Sequence, residues 1–185
     1  MTGFGAVVLA GGAATRLGGV DKASLEVGGR TLLAHALDAV VDAHEVVVVG
    51  DPVPTERPAT FCREDPRHGG PVAALLTGVD ALLRTPRTVG VLAVDMPHVT
   101  AATFRRLHEA AVGRDGAVLL GPDGRRQLAL VLDPARLAAV RPDHEGQHGM
   151  AVRRLLAPLD LVEVPADGRE HRDVDTWADL RDLGE

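Results

Sequence analysis

Apolar positions along the chain alternate between two patterns. Unbroken apolar runs at Ala6-Val-Val-Leu-Ala10 and within residues 45–50 and 88–94 have the length and β-branched content of strands buried on both faces. Between them, residues 31–43 place Leu32, Leu33, Ala36, Leu37, Val40 and Val41 at helical spacing. Residues 70–83 predict a second helix, with Pro71 in the first turn, where a missing N–H costs nothing. Residues 51–60 carry three prolines and read as irregular, with a short strand at 60–62. Thr100 is the expected cap of a helix running to residue 112.

Residues 116–121 and 126–132 read as strands flanking a Pro-Asp-Gly turn. A short helix over 134–140, a polar loop to Gly149, a helix to Leu156, a strand over 161–164 and a last helix over 176–183 complete the pattern. Strands alternating with helices of this length predict an α/β fold. We expect one domain over residues 1–185, a Rossmann-like, doubly wound, mostly parallel sheet with helices on both faces.

Composition narrows the function classes. Of 185 residues, 45% are hydrophobic and 25% charged, an ordinary globular balance. A net charge of −6 argues against nucleic acid as a partner, because such binding needs a basic surface to displace counterions. Aromatic residues are only 2%, so a base-stacking platform is lacking too. The apolar runs are too short to span a bilayer, and the chain opens on no charged-then-apolar leader. Cys62 is the single cysteine, which makes the cytoplasm the expected compartment.

In doubly wound sheets, ligands sit at the carboxyl ends of strands. The first strand runs into Leu9-Ala10-Gly11-Gly12, followed by Arg16 and by Gly18-Gly-Val-Asp-Lys22. Adjacent glycines let backbone N–H groups approach phosphate oxygens, and Arg16 and Lys22 add two cations suited to a triphosphate. The chain writes arginine nineteen times and lysine once, at position 22. Spacing excludes two commoner phosphate loops: Asp21, not glycine, precedes Lys22, and no Gly-x-Gly-x-x-Gly occurs here.

Asp95 ends the strand at 88–94, where a carboxylate could hold Mg2+ together with substrate phosphates. Asp175, before the last helix, fits either a metal or a helix cap. Glu64-Asp65 ahead of Gly69-Gly-Pro71 offers a carboxylate beside a helix start. His144-Glu-Gly-Gln-His148 matches a zinc-protease pattern. That chemistry needs a stable helix, and Pro142, Gly146 and Gly149 interrupt one.

With these residues placed, the chain resembles the molybdenum-cofactor guanylyltransferases of the nucleotidyltransferase superfamily, nearly end to end. The likeness rests on Leu9-Ala-Gly-Gly12, Arg16, Gly18-Gly-Val-Asp-Lys22, Gly70-Pro71, Asp95-Met-Pro97 and Asp175-Thr176. It implies guanylyl transfer from GTP to molybdopterin, with Leu9, Ala10, Gly11, Gly12 and Lys22 binding nucleotide, Asp65 reading guanine and Asp95 holding magnesium. Molybdoenzyme delivery partners belong to the same expectation. Asp173-x-Asp175-Thr176 departs from the family's Asn-x-Asn-Thr and resembles the cytidylyltransferase branches. Residues 126–132 also lack the family's usual proline. Cytidylyl transfer, another phosphorylated acceptor and a non-catalytic nucleotide-binding regulator therefore stay open as alternatives.

Overall fold

The computed structural model describes residues 3–11 and 21–184. Its frame is a seven-stranded sheet built from β1 (Phe4–Leu9), β4 (Glu45–Val49), β5 (Thr60–Cys62), β6 (Thr88–Ala93), β7 (Gly116–Leu120), β8 (Arg126–Leu132) and β9 (Leu161–Pro165). The order across the sheet is β5-β4-β1-β6-β8-β7-β9. β1 pairs in parallel with both β4 and β6, β5 is parallel to β4, and β9 is parallel to β7. Only β8 runs against its neighbours, because the turn after β7 sends the chain straight back beside it.

Burial explains the composition of the central strands. All six residues of β1 are buried, and β4 and β6 are buried beyond their first residue. Alternate side chains feed two cores. Ala6, Val8, Val46, Val48 and Leu92 face α1 (Leu32–Ala39) and α3 (Ala101–Ala110). Val7, Leu9, Val47, Val49 and Val91 face α2 (Pro71–Asp80), α4 (Pro134–Val140) and α6 (Val152–Leu156). The sheet is thus covered on both faces, as the apolar runs predict.

The helix starts follow their capping residues. Thr31 accepts from the Ala34 N–H ahead of α1, and Thr100 and Thr103 form a reciprocal capping box on α3. Helices α1 and α3 stop a few residues short of the predicted ends, where the last turns give way to looser backbone.

Two local expectations need correction. Residues 26–31 form a small antiparallel ribbon, β2 (Glu26–Val27) with β3 (Arg30–Thr31), where the sequence pattern assigned no strand and started a helix at Thr31. Within the expected polar loop, residues His144–Gln147 form a single helical turn, α5, because the Asp143 side chain caps the Gly146 N–H. The last helix, α7 (Trp177–Gly184), follows Asp179 contacts to the N–H groups of Asp175 and Thr176.

Candidate active site

The chain order creates the site. From β1 it moves outward to β4 and β5, then returns to place β6 on the other side of β1. The reversal leaves a crevice at the carboxyl ends of β1 and β6, the place where open α/β sheets bind ligands. A cleft of about 820 Å3 lies there, lined by Leu9, Gly11, Lys22, Gly50, Asp51, Glu64, Asp95 and Leu128 among others.

Two sequence-predicted residues in it, Lys22 and Asp95, meet a third, Asp175, at its edge. The Lys22 ammonium donates to Asp95 Oδ2 and to Asp175 Oδ1, both at 2.9 Å, joining positions 73 and 153 residues apart. Local structure aims each one. Asp21 caps the 3-10 turn at Lys22–Ser24, Asp95 lies two residues past the end of β6, and the Val174 N–H donates to the Asp95 carbonyl at 2.9 Å. Side-chain exposure is 16% for Lys22, 22% for Asp95 and 48% for Asp175, so this charge cluster is half withdrawn from water. Burial works against the Lys22 ammonium, but the Asp95 charge and the hydrogen bonds to both carboxylates outweigh it and raise its pKa. Desolvation, with the charges of Asp175 and Asp95, raises the nearby Asp173 carboxyl.

The donor set suits a magnesium ion. Among the described residues no group of three or more His, Cys, Asp or Glu forms a protein-only metal cage. Two carboxylates already converge on one cation, the lysine ammonium. One or two carboxylates plus substrate phosphates is the usual magnesium arrangement.

The other predicted residues fall into three groups. Leu9 and Gly11 line the cleft, but the Ala10 and Gly11 N–H groups both donate to the Val49 carbonyl, at 2.9 and 2.8 Å. They stitch β1 to β4 rather than pointing at a ligand. Gly12 and Arg16 lie outside the described residues. Asp65 borders the cleft without lining it. Its N–H and carbonyl are both held by the Thr77 hydroxyl, and its carboxylate, 76% exposed, lies 3.3 Å from His144 Nε2.

The His-Glu-x-x-His residues belong to this rim. α5 is one turn long, the Gly149 N–H donates to the Gly69 carbonyl, and His148 only terminates the turn.

Several cleft residues escaped the sequence reading. Asp51 follows β4 as Asp95 follows β6, so the rule about strand ends could have found it. It pairs with Arg63 at 2.9 Å. Arg67 and His68 complete that wall, and His68 adopts a left-handed backbone (φ 56°) that no spacing rule announces.

The MobA-like NTP transferase domain model matches residues 6–164. The chain belongs to that family. It is 42% identical to a molybdenum cofactor guanylyltransferase of Acidiphilium cryptum over 111 residues, 57% of this chain and 57% of that protein's own length. It is 30% identical to a probable molybdenum cofactor guanylyltransferase of Natronomonas pharaonis over 192 residues, covering 94% of this chain and 93% of the other. In structure it is similar to Rv0371c of Mycobacterium tuberculosis H37Rv, solved in complex with manganese. The TM-score is 0.76 with 21% identity, over 98% of both chains. That likeness carries the fold. No helix among the described residues is long and apolar enough to cross a membrane.

Proposed function

We propose that the protein transfers GMP from GTP to molybdopterin, giving the guanine dinucleotide cofactor and pyrophosphate, with Mg2+ held by Asp95 and Asp175. The observation that carries this reading is the meeting of Lys22, Asp95 and Asp175 at the mouth of the β1–β6 crevice. Relatives named for guanylyl transfer supply the base and acceptor.

In this reading the acceptor's phosphate oxygen attacks the α-phosphorus of GTP in line and pyrophosphate leaves. A phosphate monoester, with a second pKa of about 6, is already largely ionised at neutral pH, so no side chain need remove a proton. Catalysis then consists of positioning and charge stabilisation. Lys22 and Arg16 neutralise the departing pyrophosphate, while the Ala10 and Gly11 N–H groups are already engaged by the Val49 carbonyl. A magnesium ion held by Asp95 and Asp175 would supply Lewis acidity. Asp65, its backbone fixed by Thr77, accepts hydrogen bonds from the guanine N1–H and exocyclic amine.

Pyrophosphate release measured with each of four nucleoside triphosphates and purified molybdopterin tests the reading. GTP should lead, because cytosine offers no such donor pair to the Asp65 carboxylate. Asp65→Asn should erode the preference for GTP over CTP while sparing the fold. Equal or better turnover of wild type with CTP would overturn the guanylyl assignment.

A further inference from the structure

Glu170 is an acid with little business inside a protein, yet it is 7% exposed. Its Oε1 accepts from the Thr103 hydroxyl at 2.5 Å and from Arg106 Nη1 at 3.0 Å. Its Oε2 accepts from Arg106 Nη2 and from the Asp167 N–H, each at 2.8 Å. Arg106 also holds Asp167 at 2.8 Å and the Pro165 carbonyl at 3.3 Å. The segment between β9 and Asp173 is therefore pinned to α3 through one buried carboxylate.

Both ends of this pin lead to the active site. Thr103 is the third residue of α3 and part of its capping box, and its Oγ1 accepts from the Thr100 N–H at 3.0 Å. The Thr103 proton goes to Glu170, so Thr100 donates its own hydroxyl across the 3.3 Å contact to Thr103. Thr100 lies five residues beyond Asp95, and Met96 and Val99 between them are buried. On the other side, Glu170 precedes by four residues the fully buried Val174, whose N–H donates to the Asp95 carbonyl. Asp175 comes next, on Lys22.

We propose that Glu170 is a positioning residue that ties the segment carrying Asp175 to the helix following Asp95, and so holds the two carboxylates at one point. It touches no reacting group. A buried carboxylate with all its partners placed has few alternative arrangements, which suits it to fix a loop that burial alone does not fix. The inference rests on the reading of Asp95 and Asp175 as the metal-holding pair.

The test is manganese binding by electron paramagnetic resonance on the intact protein, beside metal titrations of pyrophosphate release and melting curves. Wild type is compared with Glu170→Gln, with Arg106→Lys should the first not yield folded protein, and with Leu137→Ala, a core truncation in α4 on the opposite face of the sheet. Either latch variant should weaken manganese binding at least fivefold and raise the half-saturating metal concentration of the reaction in step. The KM for nucleotide should stay within about twofold. Leu137→Ala should melt earlier with manganese affinity unchanged. Wild-type manganese affinity in folded Glu170→Gln, or in Arg106→Lys where that variant is used, overturns the inference and leaves the proposed function standing. An equal loss in Leu137→Ala also overturns it, by making the effect one of general loosening. Wild type that binds no manganese removes the pair and the inference together. Manganese binding without pyrophosphate release from any nucleotide removes the proposed function and leaves the latch.

Discussion

Lys22 carries two negative charges on one ammonium, and that fixes what its replacement should do. Its Nζ sits 2.9 Å from each of two carboxylates. A guanidinium is planar, longer and demands a fork of acceptors, so it cannot occupy the same point between them. Lys22→Arg should keep the charge, melt within a few degrees of wild type and lose tenfold or more in turnover, about 1.4 kcal/mol of transition-state stabilisation. Lys22→Ala should be worse on both counts, because Asp95 and Asp175 are then left facing each other without a cation. Steady-state pyrophosphate release beside melting curves decides it, and Lys22→Arg at half the wild-type rate would make the lysine an ordinary surface residue. Asp95→Asn keeps the shape and removes a charge. Its rate should fall by orders of magnitude even at saturating magnesium, with folding intact.

At the scale of elements, legibility followed burial. Strands β1, β4 and β6 were readable because they are covered on both faces, which forces unbroken apolar runs such as Val46 to Val49. The ribbon of β2 and β3 was not, because two-residue strands show no period. Its one signal was the Gly28-Gly29 pair, which takes the left-handed turn at φ 59° and 76°. The meeting of Lys22 and Asp95 was foreshadowed by their places after strands. Glu170 was not, since a buried acid in a polar segment looks like any solvated one until α3 is seen lying over it.

Packing inside an element was equally hidden. Gly78 presses α2 onto the sheet so closely that a Cβ there would meet Val7 Cγ1 at 2.3 Å and Val49 Cγ2 at 2.8 Å. Valine side chains are stiff at χ1 and have no room to swing aside. Gly78→Ala should therefore destabilise by about 1–3 kcal/mol despite the better helix propensity of alanine. A melting temperature several degrees lower is expected, and one equal to or above wild type would show that α2 can lift away without cost.

For the whole molecule, the shifted groups combine into one dependence of stability on pH. His98 and His108 are held below the ordinary histidine value, foremost by burial. At His108 the chemistry is explicit. Nδ1 donates to the Phe104 carbonyl at 2.7 Å, so Nε2, buried and without a partner among the described residues, would have to take the proton. A depressed pKa in the folded state means that the unfolded chain binds more protons, so stability falls as pH drops below the unfolded value of about 6.5. Glu170 adds a second step in the same direction. Burial would raise its pKa, but Arg106, Thr103 and the Asp167 N–H outweigh this and lower it, so its contribution is present above about pH 4.5 and lost below. Asp115, lowered by the Asp160 N–H and Arg136, and Asp179, lowered by Thr176, act likewise. Among the described residues' shifted carboxyls, Asp173 runs the other way. On the alkaline side the Cys62 thiol, raised by burial, and then Lys22 resist deprotonation in the fold and withdraw stability as pH climbs past their ordinary values. The melting temperature should therefore be level between about pH 7 and 8.5, and fall on both sides. The acid side should begin with a histidine step well before the carboxylates titrate. His108→Gln, neutral at every pH and compatible with α3, should flatten the decline between pH 7 and 5.5 relative to wild type. Calorimetric melting of both proteins across that range is the measurement. A wild-type melting temperature that rises on acidification would contradict the sign, and an unchanged slope in His108→Gln would remove His108 from the account.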